Sequence, residues 1–400
     1  MPRPIRSGLL ALTLSTLCAF GGAANAADKD PIRIGFVMAK QGPLAEHGKQ
    51  QNEGAQLALE QFNSSVRGAP VELIWLDEPT PQDAQQNMQR LVDEQKVVAV
   101  LGGSNSATAL AMSAVANQTK TPFIATNAAA TAITGEKCNR YTFRTHLPVP
   151  PQVRALSGEL EKHGKDWYFM AASYAFGQDI VKSFQKELDA VGGKTVAVDE
   201  APLSTPDYTS YILKIRAAKP DVVVGGLAGS DISTFLKQWN EMGMRQRIPF
   251  AQIGVADADI WGIGPQAAAG IYTKIWYYDN PENSADDKAF AKLYKERYGR
   301  PAPDRAWMGW YATRMLLQSL ENANSLEAAD VVRSLESWKD EDRGTSFRTW
   351  DHQLLNPVVV AQAKPEVTDN YAFLDVIQVV PASDALYGTQ DQVGCKMGEL

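Results

Sequence analysis

The sequence predicts an α/β fold built on parallel sheets, arranged as two successive units of similar size. Two observations carry this. Short apolar runs alternate with amphipathic stretches of helical spacing, and the alternation, once complete near Ile124, begins again at Trp167. That pattern belongs to parallel strands linked by crossover helices. The chain is also 400 residues long, and at roughly 150 residues per domain that length fits two to three units.

The elements follow in order. Ile32–Val37 reads as a strand, Ala45–Phe62 as a helix with Ala55, Leu57, Ala58, Leu59 and Phe62 on its apolar side, and Val71–Leu76 as a strand. Pro81–Gln95 is predicted helical, Val97–Leu101 extended, Asn105–Gln118 helical and Pro122–Ile124 a short strand. Prolines 148, 150 and 151 mark Arg144–Pro151 as a stiff extended crossing into the second unit. That unit reads as strands at Trp167–Ala172, Thr195–Val198, Asp221–Gly225 and Ile248–Ile253. Helices at Gly177–Val191, Tyr208–Ala218 and Ile232–Met242 separate them. After Ile271–Tyr278 come helices at Asp286–Tyr298 and Ala306–Ala323, then strand-like runs at Val358–Ala363 and Tyr371–Val380.

Composition narrows the function. A hydrophobic fraction of 44% with 21% charged residues is ordinary for a globular chain and excludes a wholly disordered one. Lys plus Arg number 39 against 46 Asp plus Glu, so non-specific nucleic-acid binding, which needs clustered positive charge, is not expected. A mean hydropathy of −0.26 argues against a polytopic membrane protein.

Residues 1–26 read as a secretory signal: Arg3 and Arg6, an apolar run from Leu9 to Phe20, then Ala24-Asn25-Ala26 as an A-x-A cleavage site. The run is well short of the ~20 residues of a membrane helix. Leu17 stands where a small residue precedes a lipidated cysteine, so Cys18 does not mark a lipoprotein. Cleavage after Ala26 leaves 37 basic against 46 acidic residues, a net charge near −9. It also leaves Cys138 and Cys395 in an oxidising compartment, which favours a pair over two free thiols.

The chemistry of catalysis is missing. There is no G-x-S-x-G elbow, and His47, His146, His163 and His352 stand in no metal-binding spacing. Gly102-Gly103-Ser104 follows a strand and opens a helix without the glycine spacings that grip a nucleotide. No cofactor and no metal are expected. Ser104, Asn105 and Ser106 do stand at a helix start, where free N–H groups and the helix dipole favour an anion. One of them suffices as an N-cap; three polar residues after two glycines also suit a ligand site. Thr126–Thr131 ends the next strand with small residues that expose backbone groups. Ligands of open parallel sheets bind beyond such carboxyl ends.

With these residues in view, the chain resembles the branched-chain amino-acid binding proteins of periplasmic ABC importers. Gln41–Gly48 looks like that family's first ligand loop, Gly102–Thr108 its serine-rich loop and Thr126–Thr134 its small-residue loop. Tyr174–Asp179 and Gly225-Gly226 look like loops of its second lobe, and the helix Ala306–Leu320 with Tyr311 also fits. The likeness spans nearly all of residues 30–380. It implies a type I periplasmic binding fold: two Rossmann-like lobes with parallel sheets, joined by a three-crossing hinge near 144–150, 273–279 and 351–357. Lobe 1 would take 27–146 plus 277–353, and lobe 2 would take 147–276 plus 354–400 with the C-terminal tail.

Carried over by position, the resemblance implies that Ser104, Asn105 and Ser106 hold a ligand carboxylate and that Ala128 and Ala130 offer backbone groups. His47, Tyr174 and Phe176 would line the cleft, and Leu227 and Gly229 would close it. Where the family sets an acidic partner for the ligand ammonium, this chain has Ile253, with Asp257 and Asp259 just beyond. Either Asp257 substitutes, or the ligand lacks an ammonium and is an apolar or aromatic carboxylate, with Trp261, Trp276 and Trp307 near the cleft. The implied function is non-enzymatic: a monomeric periplasmic protein that captures a small molecule by lobe closure and delivers it to a membrane permease. A ligand-sensing domain on the same fold is the alternative.

Overall fold

A computed structural model describes Met1 and residues 29–400; the expected signal segment, apart from Met1, lies outside the described residues. The first sheet is built from β1 (Ile32–Val37), β2 (Ser65–Val66), β3 (Ala69–Leu76), β4 (Ala99–Gly102), β5 (Phe123–Ala125) and β6 (Thr142–Arg144), in the order β2-β3-β1-β4-β5-β6. All pairings are parallel except the β2–β3 hairpin. Strands β1, β4 and β5 are buried almost throughout, as expected of a sheet covered on both faces. The helices α1 (Ala45–Gln61), α2 (Pro81–Asp93) and α3 (Ser106–Thr119) cover it.

The chain then leaves this sheet for α4 (Val149–Leu160) and a second one: β7 (Asp166–Ala172), α5 (Ala175–Ala190), β8 (Lys194–Ala201), α6 (Thr209–Ala218), β9 (Val222–Gly226), α7 (Ser230–Glu241), β10 (Phe250–Gln252), the short α8 (Asp257–Trp261) and α9 (Gly264–Ala267), and β11 (Ile271–Lys274). It returns to the first lobe as α10 (Ala285–Tyr298) and α11 (Asp304–Asn322), the latter packed along α1. There follow α12 (Ala328–Ser337) and the hairpin β12 (Lys339–Asp340) and β13 (Thr345–Ser346). A third passage leads to β14 (Val358–Ala363) and β15 (Leu374–Val380), which add to the second sheet antiparallel, giving β15-β14-β11-β10-β9-β7-β8.

Both sheets change winding direction once. From β1 the chain goes outward to β3 and then back to β4 on the other side; from β7 it goes to β8 and back to β9. The crevices at such switch points, beyond the strands' carboxyl ends, are where α/β sheets bind ligands.

One local expectation is corrected. Pro150 and Pro151 do not form an extended crossing; they lie in the first turn of α4, where a missing N–H costs nothing because that donor has no intrahelical acceptor. Strand β11 ends at Lys274, where the chain turns back toward the first lobe.

The C-terminal tail carries the short helices α13 (Asp384–Tyr387), which packs on α4, and α14 (Gln390–Val393). A Cys138–Cys395 disulfide fastens its end to the first lobe, across 257 residues of sequence. Buried Arg144 donates to the Gln353 amide oxygen and to the Ala130 carbonyl, both at 2.6 Å, and so ties the hinge side of this lobe together. Among the described residues no helix is long and apolar enough to cross a membrane.

Candidate functional site

The cleft wall of the first lobe begins where β4 ends. A Cβ on Gly102 would stand 2.0 Å from the Val37 carbonyl oxygen, and Gly102 and Gly103 have φ of +149° and +87°. Only glycine lets the chain turn this close to β1. Asn105 is the N-cap of α3. Its Oδ1 accepts from the N–H groups of Ala107 and Thr108 at 2.9 and 3.0 Å, and Thr108 completes a capping box. Its side-chain oxygen is therefore spent on the helix.

Ser104 is tied down as well. Its Oγ accepts from the Ala39 N–H at 2.8 Å, and its own N–H donates to Glu78 Oε1 at 2.5 Å. Glu78 is buried, and burial pushes its carboxyl up to about 8. Ser106 Oγ accepts from the Ala130 N–H at 3.1 Å and keeps its own proton to donate.

These contacts correct two expectations. Ala130 offers no free backbone group, because its carbonyl accepts from Arg144 and its N–H is taken by Ser106. Ala128 is buried, and the neighbouring Ala129 lines the cleft in its place.

On the second lobe, Tyr174 and Phe176 at the start of α5 line the cleft, their rings stacked 6.5 Å apart. Leu227 does not: both its backbone groups are held by the Gln252 amide, at 3.1 and 2.8 Å, and its side chain joins the second-lobe core. Ala228 faces the cleft instead. Gly229 meets the first lobe directly. A Cβ there would be 2.3 Å from the Pro43 carbonyl oxygen, and Ser230 N–H donates to that same oxygen at 3.2 Å.

The acidic residues need the largest correction. Asp257 is fully buried away from the cleft. Lys274 Nζ lies 2.8 Å from its Oδ1, and the Asp304 N–H donates to its Oδ2 at 2.8 Å. Lys274 also reaches Asp304 at 3.1 Å. Burial pushes the Asp257 carboxyl up to about 6 against the pull of Lys274. Its charge is used inside the fold, so it cannot stand opposite a ligand ammonium. Asp259, two residues on, crosses the lobes on the cleft side: its Oδ1 lies 2.8 Å from His47 Nε2, and its Oδ2 accepts from the Gly229 N–H at 3.3 Å.

Leu44, His47, Ser104, Asn105, Ser106 and Asn127 line the cleft from the first lobe and hinge side with Ala129, His146 and Arg305. Tyr174, Phe176, Ala228 and Gly254 line it from the second. The cavity between these residues has a volume of about 30 Å³. No carboxylate is among these residues. His146 is neutral, because burial drives its imidazole down to about 3. Trp276 and Trp307 stack on one another in the core, 5.8 Å apart, and Trp261 packs on Tyr278 and Tyr371; none of the three lines the cleft.

Sequence reasoning missed Asn127, His146, Gly254 and Arg305. For Arg305 a signal was present. A cation in the first turn of a helix opposes the helix dipole, and Asp304-Arg305 open α11. Among the described residues, no cluster of three or more His, Cys, Asp or Glu could hold a metal ion.

Two lobes with largely parallel sheets thus meet at a cleft beyond the carboxyl ends of their strands, the place where α/β folds bind ligands. The chain belongs to the periplasmic binding protein family, whose model matches residues 31–370. It is similar to the Leu/Ile/Val-binding protein homolog 7 of Brucella suis, 26% identical over an alignment of 347 residues, with 82% of this chain and 85% of the relative covered. Among solved structures, it is similar to a periplasmic binding protein from Burkholderia mallei (TM-score 0.85, 23% identity, 92% of this chain and 98% of that one). It is similar, too, to a solute-binding protein from Rhodopseudomonas palustris in complex with 3,4-dihydroxybenzoic acid (TM-score 0.81, 23% identity, 89% and 99%). A leucine-binding protein from Thermotoga maritima shares the fold at TM-score 0.77 and 20% identity, over 88% and 99%. The chain is thus a periplasmic binding protein, and the relatives it resembles are named as binding proteins.

Proposed function

We propose that this protein captures a small organic acid with an apolar or aromatic body, closes its lobes on it, and delivers it to a membrane permease. It does so as a secreted monomer whose signal is removed after Ala26. The observation that carries the ligand class is the cleft lining: one guanidinium, no carboxylate. A zwitterionic amino acid would bury its ammonium without an anionic partner, at a cost of several kcal/mol, because Lys274 uses Asp257 and His47 uses Asp259. Leu44, Phe176, Tyr174 and Ala129 supply apolar surface for the ligand body. Two further structural neighbours from R. palustris are complexes with 4-hydroxybenzoate and with benzoate, which supports aromatic acids as probes.

The test is calorimetric titration of the mature protein with leucine, phenylalanine, 4-methylpentanoate and benzoate. Each acid is expected to bind at least tenfold more tightly than the amino acids. Leucine binding tighter than 4-methylpentanoate overturns the proposed ligand class.

A further inference from the structure

We infer that Arg305 holds the ligand carboxylate and sets the preference for acids over their neutral analogues. The inference rests on the carboxylate reading of the cleft above.

Arg305 opens α11 on the first lobe and lines the cleft with its side chain 5% exposed. Its Nη1 donates to Asp304 Oδ2 at 3.1 Å and to Met308 Sδ at 3.5 Å, and its Nη2 donates to the Gly254 carbonyl at 2.9 Å. Its Nε is buried with no acceptor. A guanidinium has five N–H donors in a planar fork, so these three contacts leave two unused. An unsatisfied buried donor is costly, and a carboxylate is the acceptor whose two oxygens match the fork.

Arg305 is one of four charges that sum to zero: Lys274 and Arg305 against Asp257 and Asp304. Their arrangement matters more than their sum. Both carboxylates are fully buried behind the cleft and neither lines it, whereas the guanidinium does. The cluster therefore turns its positive end toward the ligand. Asp304 holds Arg305 in place, and Lys274 in turn anchors Asp304. The bond to Gly254 spans the lobes, since that loop follows β10, so closure completes the guanidinium's setting.

The experiment measures wild type, Arg305→Gln and Arg305→Lys against two pairs of probes, benzoate with benzamide and 4-methylpentanoate with 4-methylpentanamide. Circular dichroism checks the fold of each variant. Wild type is expected to prefer the acid of at least one pair by tenfold or more. In Arg305→Gln that acid should weaken at least tenfold while its amide stays within threefold. Arg305→Lys keeps a charge without the fork and should fall between. Should the Gln variant fail to fold, the Lys variant decides, with at least a threefold loss of the acid and none of the amide. Equal weakening of acid and amide assigns Arg305 a merely structural role and overturns the inference, as does an undiminished acid preference in the variants. No acid preference in wild type overturns the carboxylate reading itself and this inference with it.

Discussion

His47 Nε2 stands 2.8 Å from Asp259 Oδ1, and the two residues belong to different lobes. They are 2% and 6% exposed, so water does little to screen the pair. Asn127 Nδ2 approaches His47 Nδ1 at 3.5 Å, and the tautomer with its proton on Nε2 satisfies both contacts. Asp259 also takes the Gly229 N–H, so one carboxylate gathers both walls of the cleft. We predict that Asp259→Ala weakens ligand binding by tenfold or more, since leaving the buried His47 Nε2 and the Gly229 N–H without their acceptor costs about 1–3 kcal/mol. It should also enlarge the radius of gyration of the ligand-free protein in small-angle scattering. A variant with unchanged affinity and radius would show that the pair does not latch the lobes.

Gly229 supplies a test of closure that leaves each lobe intact. Its φ of +62° and ψ of −138° suit glycine, and a side chain there costs on the order of 1–3 kcal/mol in backbone strain. The larger effect comes from Pro43, whose carbonyl a Cβ would meet at 2.3 Å. Gly229→Ala should therefore lower affinity at least tenfold, mainly through faster ligand release in stopped-flow, while the protein remains folded. Wild-type release rates would mean that the lobes need not meet at this point.

Asp257→Ala separates a structural ion pair from a ligand contact. Removing one partner of a buried pair costs about 3–5 kcal/mol, here because Lys274 would keep only Asp304. A clear drop in melting temperature is expected, with leucine and phenylalanine gaining or losing nothing relative to their deaminated acids. Selective loss of amino-acid binding would return the ammonium role to Asp257.

Glu78 makes stability fall as pH rises. Its folded-state value of about 8 lies above the ordinary 4.5, so the folded protein holds a proton that the unfolded chain has released. Its contribution is fully present below pH 4.5 and is lost progressively as pH rises to about 8. The dominant cause is burial, with Asp77 adding repulsion and the hydrogen bonds from Ser104 and Thr108 opposing. Glu78→Gln keeps an acceptor for the Ser104 N–H and cannot ionise. The difference in unfolding free energy between wild type and variant should move in the variant's favour across that window, by about 1.4 kcal/mol per pH unit at most. A difference independent of pH would show that Glu78 ionises normally in the fold.

Element types could be read from the sequence because their causes are local. Apolar runs such as Val222–Val224 identify buried strands without knowledge of their partners, and the helical spacing of Ala55, Ala58, Leu59 and Phe62 identifies a covering helix in the same way. The segment Val149–Leu160 was missed because Pro-Pro reads as extended chain, whereas at a helix start it is tolerated.

The sequence by itself determined the two α/β units, the polar helix start at Ser104–Ser106, and the two cysteines available for pairing. Each depends on neighbouring residues or on counting. Only the tertiary structure decided which acid serves which purpose. Asp257 and Asp259 are two residues apart and alike in chemistry, yet one meets Lys274 in the core and the other meets His47, 212 residues away, across the cleft. Local pattern cannot separate them, because the side-chain direction that commits each carboxylate is set by the turn of α8 and by partners that only lobe packing brings near. Arg305 follows the same reason: its neighbours Gly254 and Asp304 come from two lobes, and a donor left over between them exists only once both are in place.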